Sequence, residues 1–415
     1  MKHNHNHDNA RSAGLPPQPI HVEFAHSIVT AIPVVDIFQD RYPAAKPVRP
    51  ARNSRWRAAC QLLLLCLCFI GVGARGGPIV IGYTNCLAVA KYPQSLMDQI
   101  GQLKWYFTHA SVGEYMMDGI AALHATNAGY YQIRGVSAAN TPPSATQAGV
   151  IYEYDRGNPG WYQKLDLFKS CVSNGWRYPL VNIALNKFCF VDDAADLSTT
   201  IDYVSARELA YPETIFVYTT IPLETSANWA NYYRNVFNDG MRDWCRTNNR
   251  VLLDVADIEA HGTNGALCTF TLNGRVCQYQ WPGYNASGDG GHPDSPYAQR
   301  LLASGFYALA GALMSLDRDG DGVSDGQELI AGTLPRDRQS VFQLISPTTV
   351  ASGNVVLQWT SRSNRLYTLQ RGTSLLLPVS YTNVLVDAPA TPPINTYTDS
   401  PPKTGSFFYR VSVRQ

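Results

Sequence analysis

The segment Leu103–Ala125 reads LKWYFTHASVGEYMMDGIAALHA, and its hydrophobic period changes within a few residues. Leu103–Thr108 is apolar and rich in aromatic residues, which is typical of a buried β-strand. Apolar residues then recur at helical spacing, at Val112, Met116, Ile120 and Leu123. A strand that leads directly into an amphipathic helix indicates an α/β fold.

The same alternation continues along the chain. Further apolar runs at Tyr178–Val191, Ile215–Thr220 and Val251–Val255 predict three more strands. A helical period between the last two runs is carried by Trp229, Tyr233, Val236, Phe237, Met241 and Trp244. The pattern predicts an α/β domain over residues 78–315, with a mostly parallel sheet covered on both faces. Active sites in such sheets lie at the carboxyl ends of the strands.

Composition supports a folded chain that has no strong field of one charge. Of the 415 residues, 45% are hydrophobic and 11% aromatic, which is enough to bury a core. The formal net charge is only +1, from 33 basic and 32 acidic residues. We therefore expect no nucleic-acid partner and look for function in a local site.

The stretch Asp289-Gly-Gly-His292 places a carboxylate three residues before a histidine, directly ahead of a predicted helix. Ser295 is suited to cap that helix and Pro296 to occupy its first turn. The apolar residues that follow at helical spacing are Ala298, Leu301, Leu302, Gly305, Phe306, Leu309 and Leu313. A helix that docks on a core fixes the loop before it, so Asp289 and His292 are candidates for the acid and base of a hydrolase.

Ser111 is the candidate nucleophile, because it follows a predicted strand and stands at the first turn of a helix. Free backbone N–H groups at such a turn can stabilise an oxyanion. Ser111-Val-Gly-Glu114 also fits a capping box, in which the serine only satisfies the helix end. The conjunction with Asp289 and His292 favours the nucleophile, since serine needs an imidazole that accepts its proton and a carboxylate that orients the imidazole.

These two motifs resemble those of the SGNH/GDSL hydrolase superfamily. The resemblance covers about residues 78–314, with Asp289-Gly-Gly-His292 as its strongest element and His109-Ala-Ser-Val-Gly113 as the next. It implies a flavodoxin-like, three-layer α/β/α fold. It also implies that Ser111 is the nucleophile, His292 the base and then the acid, and Asp289 the residue that orients His292. Asp254, after a predicted strand, is a second candidate for the orienting carboxylate.

The same resemblance implies an oxyanion hole built from the serine N–H, a glycine and an asparagine. The first family block normally reads Gly-Asp-Ser, whereas this chain has His109-Ala110-Ser111, and no segment matches the Gly-x-Asn-Asp block cleanly. The candidate residues are Ser111, Gly157, Gly160, Asn158 and Asn186, with Asp192 near the last of them.

Residues 316–336 have a different character, LDRDGDGVSDGQELIAGTLPR, with oxygen-bearing side chains at alternating positions. The pattern matches an EF-hand-type loop, in which such ligands surround one hard cation and Gly322 makes the sharp turn. It resembles the calcium loops of thrombospondin type 3 repeats and dockerins, and predicts one structural Ca²⁺. The predicted ligands are Asp317, Asp319, Asp321, Val323, Asp325 and Glu328.

Residues 338–415 change to short alternating strands separated by Pro-rich turns, including VVLQWTS, LYTLQRG and FFYRVSV. This pattern predicts a small all-β sandwich. It resembles the fibronectin- or immunoglobulin-like appendages of exported bacterial enzymes. The resemblance implies contact with a polysaccharide or cell surface, or a role as a spacer.

Residues 51–74 combine a basic stretch, a short apolar run and small residues, as a secretory signal peptide does. We expect export to the medium or cell envelope, and we expect residues 1–50 to lie outside the mature protein. Six cysteines remain after the signal, and Cys268 and Cys277 are close enough in sequence for a disulfide.

Together these resemblances imply an exported serine esterase acting on a small-molecule or glycan ester, with carbohydrate acetyl groups as a candidate substrate. The competing hypothesis is a non-catalytic surface or carbohydrate-binding protein that keeps the fold, with Ser111 only capping its helix.

Overall fold

A computed structural model describes residues 77–350, 353–374, 381–402 and 405–415. The predicted signal peptide at 51–74 and the segment 1–50 lie outside these ranges. Among the helices of the described ranges, none combines the length and the apolar character needed to cross a membrane.

A seven-stranded sheet forms the centre of the larger domain. Its strands are β1 (Ile79–Ile81), β2 (Lys104–His109), β3 (Arg134–Ser137), β4 (Val150–Asp155), β5 (Ile183–Asn186), β6 (Ile215–Thr219) and β7 (Val251–Leu253). They lie in the order β1-β7-β6-β5-β2-β4-β3. Each neighbouring pair is parallel. The predicted α/β architecture with a mostly parallel sheet is therefore confirmed.

Helices pack on both faces of this sheet. They are α1 (Tyr83–Ala88), α2 (Gln94–Ile100), α3 (Val112–Thr126), α4 (Trp161–Ser173), α5 (Leu197–Ala210), α6 (Trp229–Thr247), α7 (Val255–Ala260) and α8 (Pro296–Leu313), with 3₁₀ turns at Val89–Lys91 and Pro282–Tyr284. One hydrophobic core joins the sheet to α3 and α8. The other joins it to α4, α5 and α6. Two buried faces explain why the inner strands β5, β6 and β7 are mostly apolar and fully buried, whereas the edge strand β3 is mostly exposed.

The segment that indicated the fold has the predicted structure. All six residues of β2 are buried. The predicted stripe of α3, from Val112 to Leu123, is also buried. In α8 the side chain of Ser295 accepts a hydrogen bond from the Ala298 N–H, so the predicted cap is confirmed. The apolar run Tyr178–Val191 was too long a prediction, because only Ile183–Asn186 is strand.

Helix α6 exists, but its predicted apolar stripe is only partly correct. Phe237 and Met241 are buried, whereas Trp229, Tyr233 and Val236 are exposed. The buried face instead carries polar side chains, namely Asn231, Arg234, Asn235, Asn238 and Arg242.

A two-stranded antiparallel hairpin, β8 (Thr269–Leu272) and β9 (Arg275–Gln278), follows the sheet. Its register places Phe270 opposite Cys277, so Cys268 and Cys277 do not face each other directly. Both cysteines are buried free thiols. The structure therefore does not contain the disulfide that their spacing suggested.

The C-terminal residues form two three-stranded antiparallel sheets. Strand β10 is Leu344–Thr349, β11 is Val355–Thr360, β12 is Leu366–Gly372, β13 is Thr382–Pro389, β14 is Ile394–Asp399 and β15 is Phe408–Arg414. The sheet orders are β10-β11-β14 and β13-β12-β15. Trp359 of β11 and Tyr367 of β12 are fully buried in the core between them. The predicted small all-β unit is therefore present.

A short helix, α9 (Asp325–Ala331), connects the two units. Leu329 and Ile330 pack into the core of the larger domain. Ala331 belongs to the core of the β-sandwich. From the sandwich, Arg365 donates hydrogen bonds to the carbonyls of Leu329 and Ile330. The end of α9 is thus shared by both cores.

Candidate active site

Ser111 occupies the turn between β2 and α3 with an unusual backbone. Its φ is 54° and its ψ is −110°. A non-glycine residue in such a region costs about 1–3 kcal/mol, so the surrounding structure must hold it there. Its side chain accepts no hydrogen bond from the first turn of α3, a turn that the structure describes in full. The capping-box interpretation of Ser111 and Glu114 is therefore wrong.

The Ser111 side chain instead meets the histidine from the far end of the domain. Ser111 Oγ lies within hydrogen-bond reach of His292 Nε2, although 181 residues separate them in sequence. His292 Nδ1 is hydrogen-bonded to Asp289 Oδ2. An ionised carboxylate only accepts, so Nδ1 carries the proton and Nε2 is free to accept the serine proton. The structure brings together the three residues that the sequence singled out.

Asp289 is held in its ionised form by several donors. Its Oδ1 accepts hydrogen bonds from Asn285 Nδ2 at 2.7 Å and from the N–H groups of Gly291 and His292 at 3.1 Å each. Burial favours a higher pKa, but the hydrogen bonds from His292, Asn285 and the backbone outweigh it and hold the pKa of Asp289 below its usual range. A charged Asp289 can both orient the imidazole and stabilise its protonated form.

The loop that carries Asp289 and His292 is anchored at its two glycines. The carbonyl of Gly290 accepts a hydrogen bond from the Thr225 N–H at 2.8 Å, and that of Gly291 accepts one from Gln280 Nε2 at 3.3 Å. A Cβ on Gly291 would lie 2.6 Å from the ring of Phe190, so any larger residue here would have to displace that ring. The Phe190 ring also lies edge-on against His292, with centroids 5.2 Å apart. Packing and hydrogen bonds therefore fix the position of the imidazole.

Asn186 ends β5, the strand that neighbours β2 in the sheet, and it pairs in register with Thr108. Its Oδ1 accepts hydrogen bonds from Thr108 Oγ1 at 2.9 Å and from Arg156 Nη2 at 3.1 Å. Within the described ranges, its Nδ2 donates no hydrogen bond to another residue. Asn186 therefore keeps an amide N–H₂ group free at the carboxyl end of the sheet, where Ser111 also lies.

The loop after β4 holds the other residues considered for an oxyanion hole. The N–H of Gly157 already donates to Asp155 Oδ1 at 3.0 Å. Asn158 is exposed, and Gly160 is the N-cap residue directly before α4. Asp192 lies elsewhere, as the buried partner of Lys164 in an ion pair. Among these candidate side chains, Asn186 is the one that is buried, has its oxygen bound and keeps its amide nitrogen free.

Two further polar residues, His109 and Asp254, have structural partners. His109 is buried, and its Nε2 is 2.8 Å from Glu153 Oε2. Asp254, proposed as a second candidate to orient His292, is buried beside Arg242 and accepts hydrogen bonds from its Nε and Nη2. Its Oδ1 also caps α7. The alternative role of Asp254 is therefore wrong.

The acidic loop gathers carboxylates around one point. Carboxylate oxygens of Asp317, Asp319 and Asp321 lie within 4.8 Å of one another. Gly322 has a φ of 100°, as the predicted turn requires, and its N–H donates to Asp317 Oδ2 at 2.8 Å. Asp325 differs from the prediction, because it is fully buried in an ion pair with Arg318. The positive charge of Arg318 therefore already balances the negative charge of Asp325.

Glu328 completes this loop from α9. It is 1% exposed, and its Oε2 has no hydrogen-bond partner within the described chain. Burial, and then the charges of Asp319, Asp321 and Asp325, raise the pKa of Glu328 to about 10. Asp319 also has a buried Oδ2 without a hydrogen-bond partner. Buried carboxylate oxygens without donors are costly unless a cation satisfies them.

Sequence reasoning missed the supporting residues of the site. Asn285, Thr225 and Gln280 hold the Asp289–His292 loop, and Thr108 and Arg156 hold Asn186. Arg156 directly follows a strand, and residues at the carboxyl ends of parallel strands are expected near an active site. Asn285 lies only four residues before Asp289, but no motif marked it. Thr225, Gln280 and Thr108 carry no sequence signal, because their partners lie further along the chain.

Comparison with known proteins assigns no family. No family model matches the chain, and no curated protein matches it. Among solved structures, the capsular polysaccharide assembling protein CapF from Staphylococcus aureus aligns with 75% of this chain and 96% of its own, at 8% identity and a TM-score of 0.21. A TM-score this low carries no argument about fold or function.

Proposed function

We propose that this protein is a serine hydrolase that cleaves ester bonds on a flavodoxin-like scaffold of the SGNH/GDSL type. The observation that carries the proposal is the hydrogen-bonded series Ser111–His292–Asp289. The strained backbone of Ser111 supports it, because strain of this kind concentrates at functional sites. The order of strands also supports it, since Ser111 follows β2, an inner strand of the sheet with β5 and β4 on either side.

The mechanism follows from the tautomer of His292. Ser111 Oγ attacks the ester carbonyl carbon while His292 Nε2 takes its proton, and a tetrahedral oxyanion forms. His292 then donates the proton to the departing alkoxide, which leaves an acyl group on Ser111. Water attacks this acyl-enzyme, with His292 as the base, and releases the acid. Asp289 remains ionised and stabilises the imidazolium at each step.

The oxyanion donors in this proposal are the N–H of Ser111 and the Nδ2 of Asn186. Asn186 lies on the strand next to the nucleophile and has its amide nitrogen free. One preorganised donor of this kind is worth about 10²–10³ in rate. The N–H groups of Gly157 and Gly160 are further candidates, but that of Gly157 would first have to leave Asp155.

The substrate class in this proposal is a carbohydrate ester, with acetyl as the acyl group, met outside the cell or in the cell envelope. Support comes from the combination of a predicted export signal with a β-sandwich, a pairing suited to contact with polysaccharide. The competing hypothesis, a non-catalytic binding protein, relied on Ser111 as a helix cap, and its side chain makes no such bond.

The loop at 317–328 is proposed to hold one structural Ca²⁺. The fit is supported by the converging oxygens of Asp317, Asp319 and Asp321 and by the partnerless Oε2 of Glu328. The backbone carbonyl of Val323 would be a further ligand of the ion. Asp325 is instead paired with Arg318. Oxygen ligands in a loop of this type suit Ca²⁺. The ion would stabilise the fold and take no part in ester cleavage.

A fluorophosphonate probe tests the proposed hydrolase activity of the purified protein. The wild type should be labelled, and Ser111→Ala and His292→Ala should abolish labelling, because the first removes the nucleophile and the second its base. Ser324→Ala is the matched control, since Ser324 does cap a helix, α9. A folded wild type that takes no label, or labelling that survives in Ser111→Ala, would contradict the proposal.

A further inference from the structure

We infer that Arg156 is a positioning residue that sets the orientation of the Asn186 amide for oxyanion binding. The inference rests on the proposed hydrolase function and on Asn186 as an oxyanion donor. It adds a residue that touches no reacting atom and for which the sequence offered no motif.

The location of Arg156 suits this role. It directly follows β4, and β2 lies between β4 and β5 in the sheet. Its side chain therefore passes the end of β2, the strand that leads to Ser111, to reach the end of β5. The guanidinium is buried, with the residue 8% exposed. An arginine buried at this edge must find acceptors there.

The hydrogen bonds of Arg156 join three strand ends. Nη2 donates to Asn186 Oδ1 at 3.1 Å and to the carbonyl of Lys187 at 2.6 Å. Nη1 donates to the carbonyl of Gly157 at 3.2 Å. The backbone N–H of Arg156 donates to the carbonyl of His109 at 3.0 Å. One residue thus ties the ends of β2, β4 and β5 together.

These contacts determine which way the Asn186 amide faces. A guanidinium only donates, so the atom of Asn186 that it meets must be the carbonyl oxygen. Thr108 Oγ1 donates to the same oxygen at 2.9 Å. With Oδ1 bound to two donors, a flip of the amide would bring its N–H₂ group against the guanidinium. The amide nitrogen is therefore kept on the side away from Arg156 and available to an oxyanion.

A double-mutant cycle with p-nitrophenyl acetate tests the inference. Asn186→Ala should lower kcat by about 10²–10³-fold, the usual loss for one oxyanion donor. Arg156→Ala should lower kcat by up to the same factor with KM nearly unchanged. In the Asn186→Ala background it should have little further effect, because its target is already absent. Added guanidinium should restore part of the kcat of Arg156→Ala but not of the double variant.

Two further variants separate positioning from general stability. Thr108→Val removes the second donor to Asn186 Oδ1 with little change in shape, and it should lower kcat less than Arg156→Ala. Arg365→Ala is the matched control, because Arg365 is also buried and donates to backbone carbonyls, but at the joint with the β-sandwich. Its melting temperature should fall while kcat is retained.

The outcomes distinguish this inference from the proposed function. Equal losses from Arg156→Ala in both backgrounds, or an unchanged kcat for Arg156→Ala, would overturn the positioning role and leave the hydrolase intact. Absence of any Ser111-dependent hydrolysis would overturn both. If Arg156→Ala does not fold, Arg156→Lys alone and combined with Asn186→Ala gives the same comparison, because lysine keeps the charge but lacks the planar guanidinium that donates to Asn186 Oδ1.

Discussion

At the scale of the residue, the candidate site depends on groups held in states that they would not adopt alone. Ser111 has a positive φ, and Asp289 is kept ionised by donors from its own loop. Glu259 is fully buried and accepts a hydrogen bond from the Leu223 N–H at 2.7 Å. Its backbone carbonyl accepts one from the Trp281 N–H at 2.9 Å, and the adjacent Gln280 binds the carbonyl of Gly291, so the segment of Glu259 is connected to the loop of His292.

Glu259 leads to a prediction about stability and pH. Burial raises the pKa of Glu259 to about 8, whereas an unfolded glutamate has a pKa of about 4.3. Between these values the native protein holds a proton that the unfolded chain releases, so the free energy of unfolding should fall as pH rises toward 8. Glu259→Gln should weaken this decline. Urea unfolding of both proteins between pH 5 and 8 measures it, and parallel pH profiles would contradict the prediction.

At the scale of the element, α6 shows why hydrophobic periodicity alone did not predict which residues of the helix are buried. Polar side chains on its buried side form hydrogen bonds with the backbone of the loop that precedes the helix. Asn238 exchanges two hydrogen bonds with the backbone of Ile221, at 2.7 and 2.9 Å. Asn231 Nδ2 donates to the carbonyls of Glu224 and Ser226 at 2.7 Å each. Because this loop also holds Gly290 through Thr225, the polar face of α6 contributes to the site.

The exposed and buried residues of α6 should differ sharply in their effect on stability. Phe237→Ala should lower the free energy of unfolding by about 3–5 kcal/mol, because Phe237 is buried in the core. Tyr233→Ser should change it by no more than about 0.5 kcal/mol, because that side chain is 53% exposed. Urea unfolding of the two variants makes the comparison. If Tyr233→Ser lowered the free energy of unfolding as much as Phe237→Ala, the prediction would be contradicted, and the Tyr233 side chain would have to be buried in solution.

At the scale of the whole molecule, the acidic loop lies where the two cores meet. Glu328 is followed directly by Leu329 and Ile330 in one core and by Ala331 in the other. The C-terminal residue Gln415 also reaches across, with Nε2 3.0 Å from Asn182 Oδ1. A cation that neutralises this loop would therefore stabilise the connection between both units.

Calcium should raise the melting temperature of the wild type, and chelation should reverse the effect. A free Ca²⁺ concentration of about 100 times the dissociation constant raises the free energy of unfolding by about 2.7 kcal/mol. Asp319→Asn and Glu328→Gln should abolish the response, because each removes a charged ligand. Asp243→Asn is the matched control, since Asp243 is 81% exposed and lies outside the loop. A wild-type melting temperature that does not respond to Ca²⁺ would refute the site.

The sequence by itself determined the features whose causes are local. The apolar run into a helical stripe predicted β2 and α3, and Ser295 with Pro296 predicted the start of α8. The same local reasoning identified Ser111, Asp289 and His292, because their residue types and their positions beside a strand and a helix are visible in the chain. Strand order, the polar face of α6 and the partners of Asp254 were not visible, because they depend on contacts between distant segments.

The tertiary structure decided how the candidate residues meet. Only folding brings Ser111 to His292 across 181 residues and gives Ser111 a backbone that turns its side chain away from the helix start. Only packing shows that Asn186 has its oxygen bound and its nitrogen free. Hydrogen-bond direction and burial depend on which residues are neighbours in space, so the amino-acid sequence specifies them only through the complete fold.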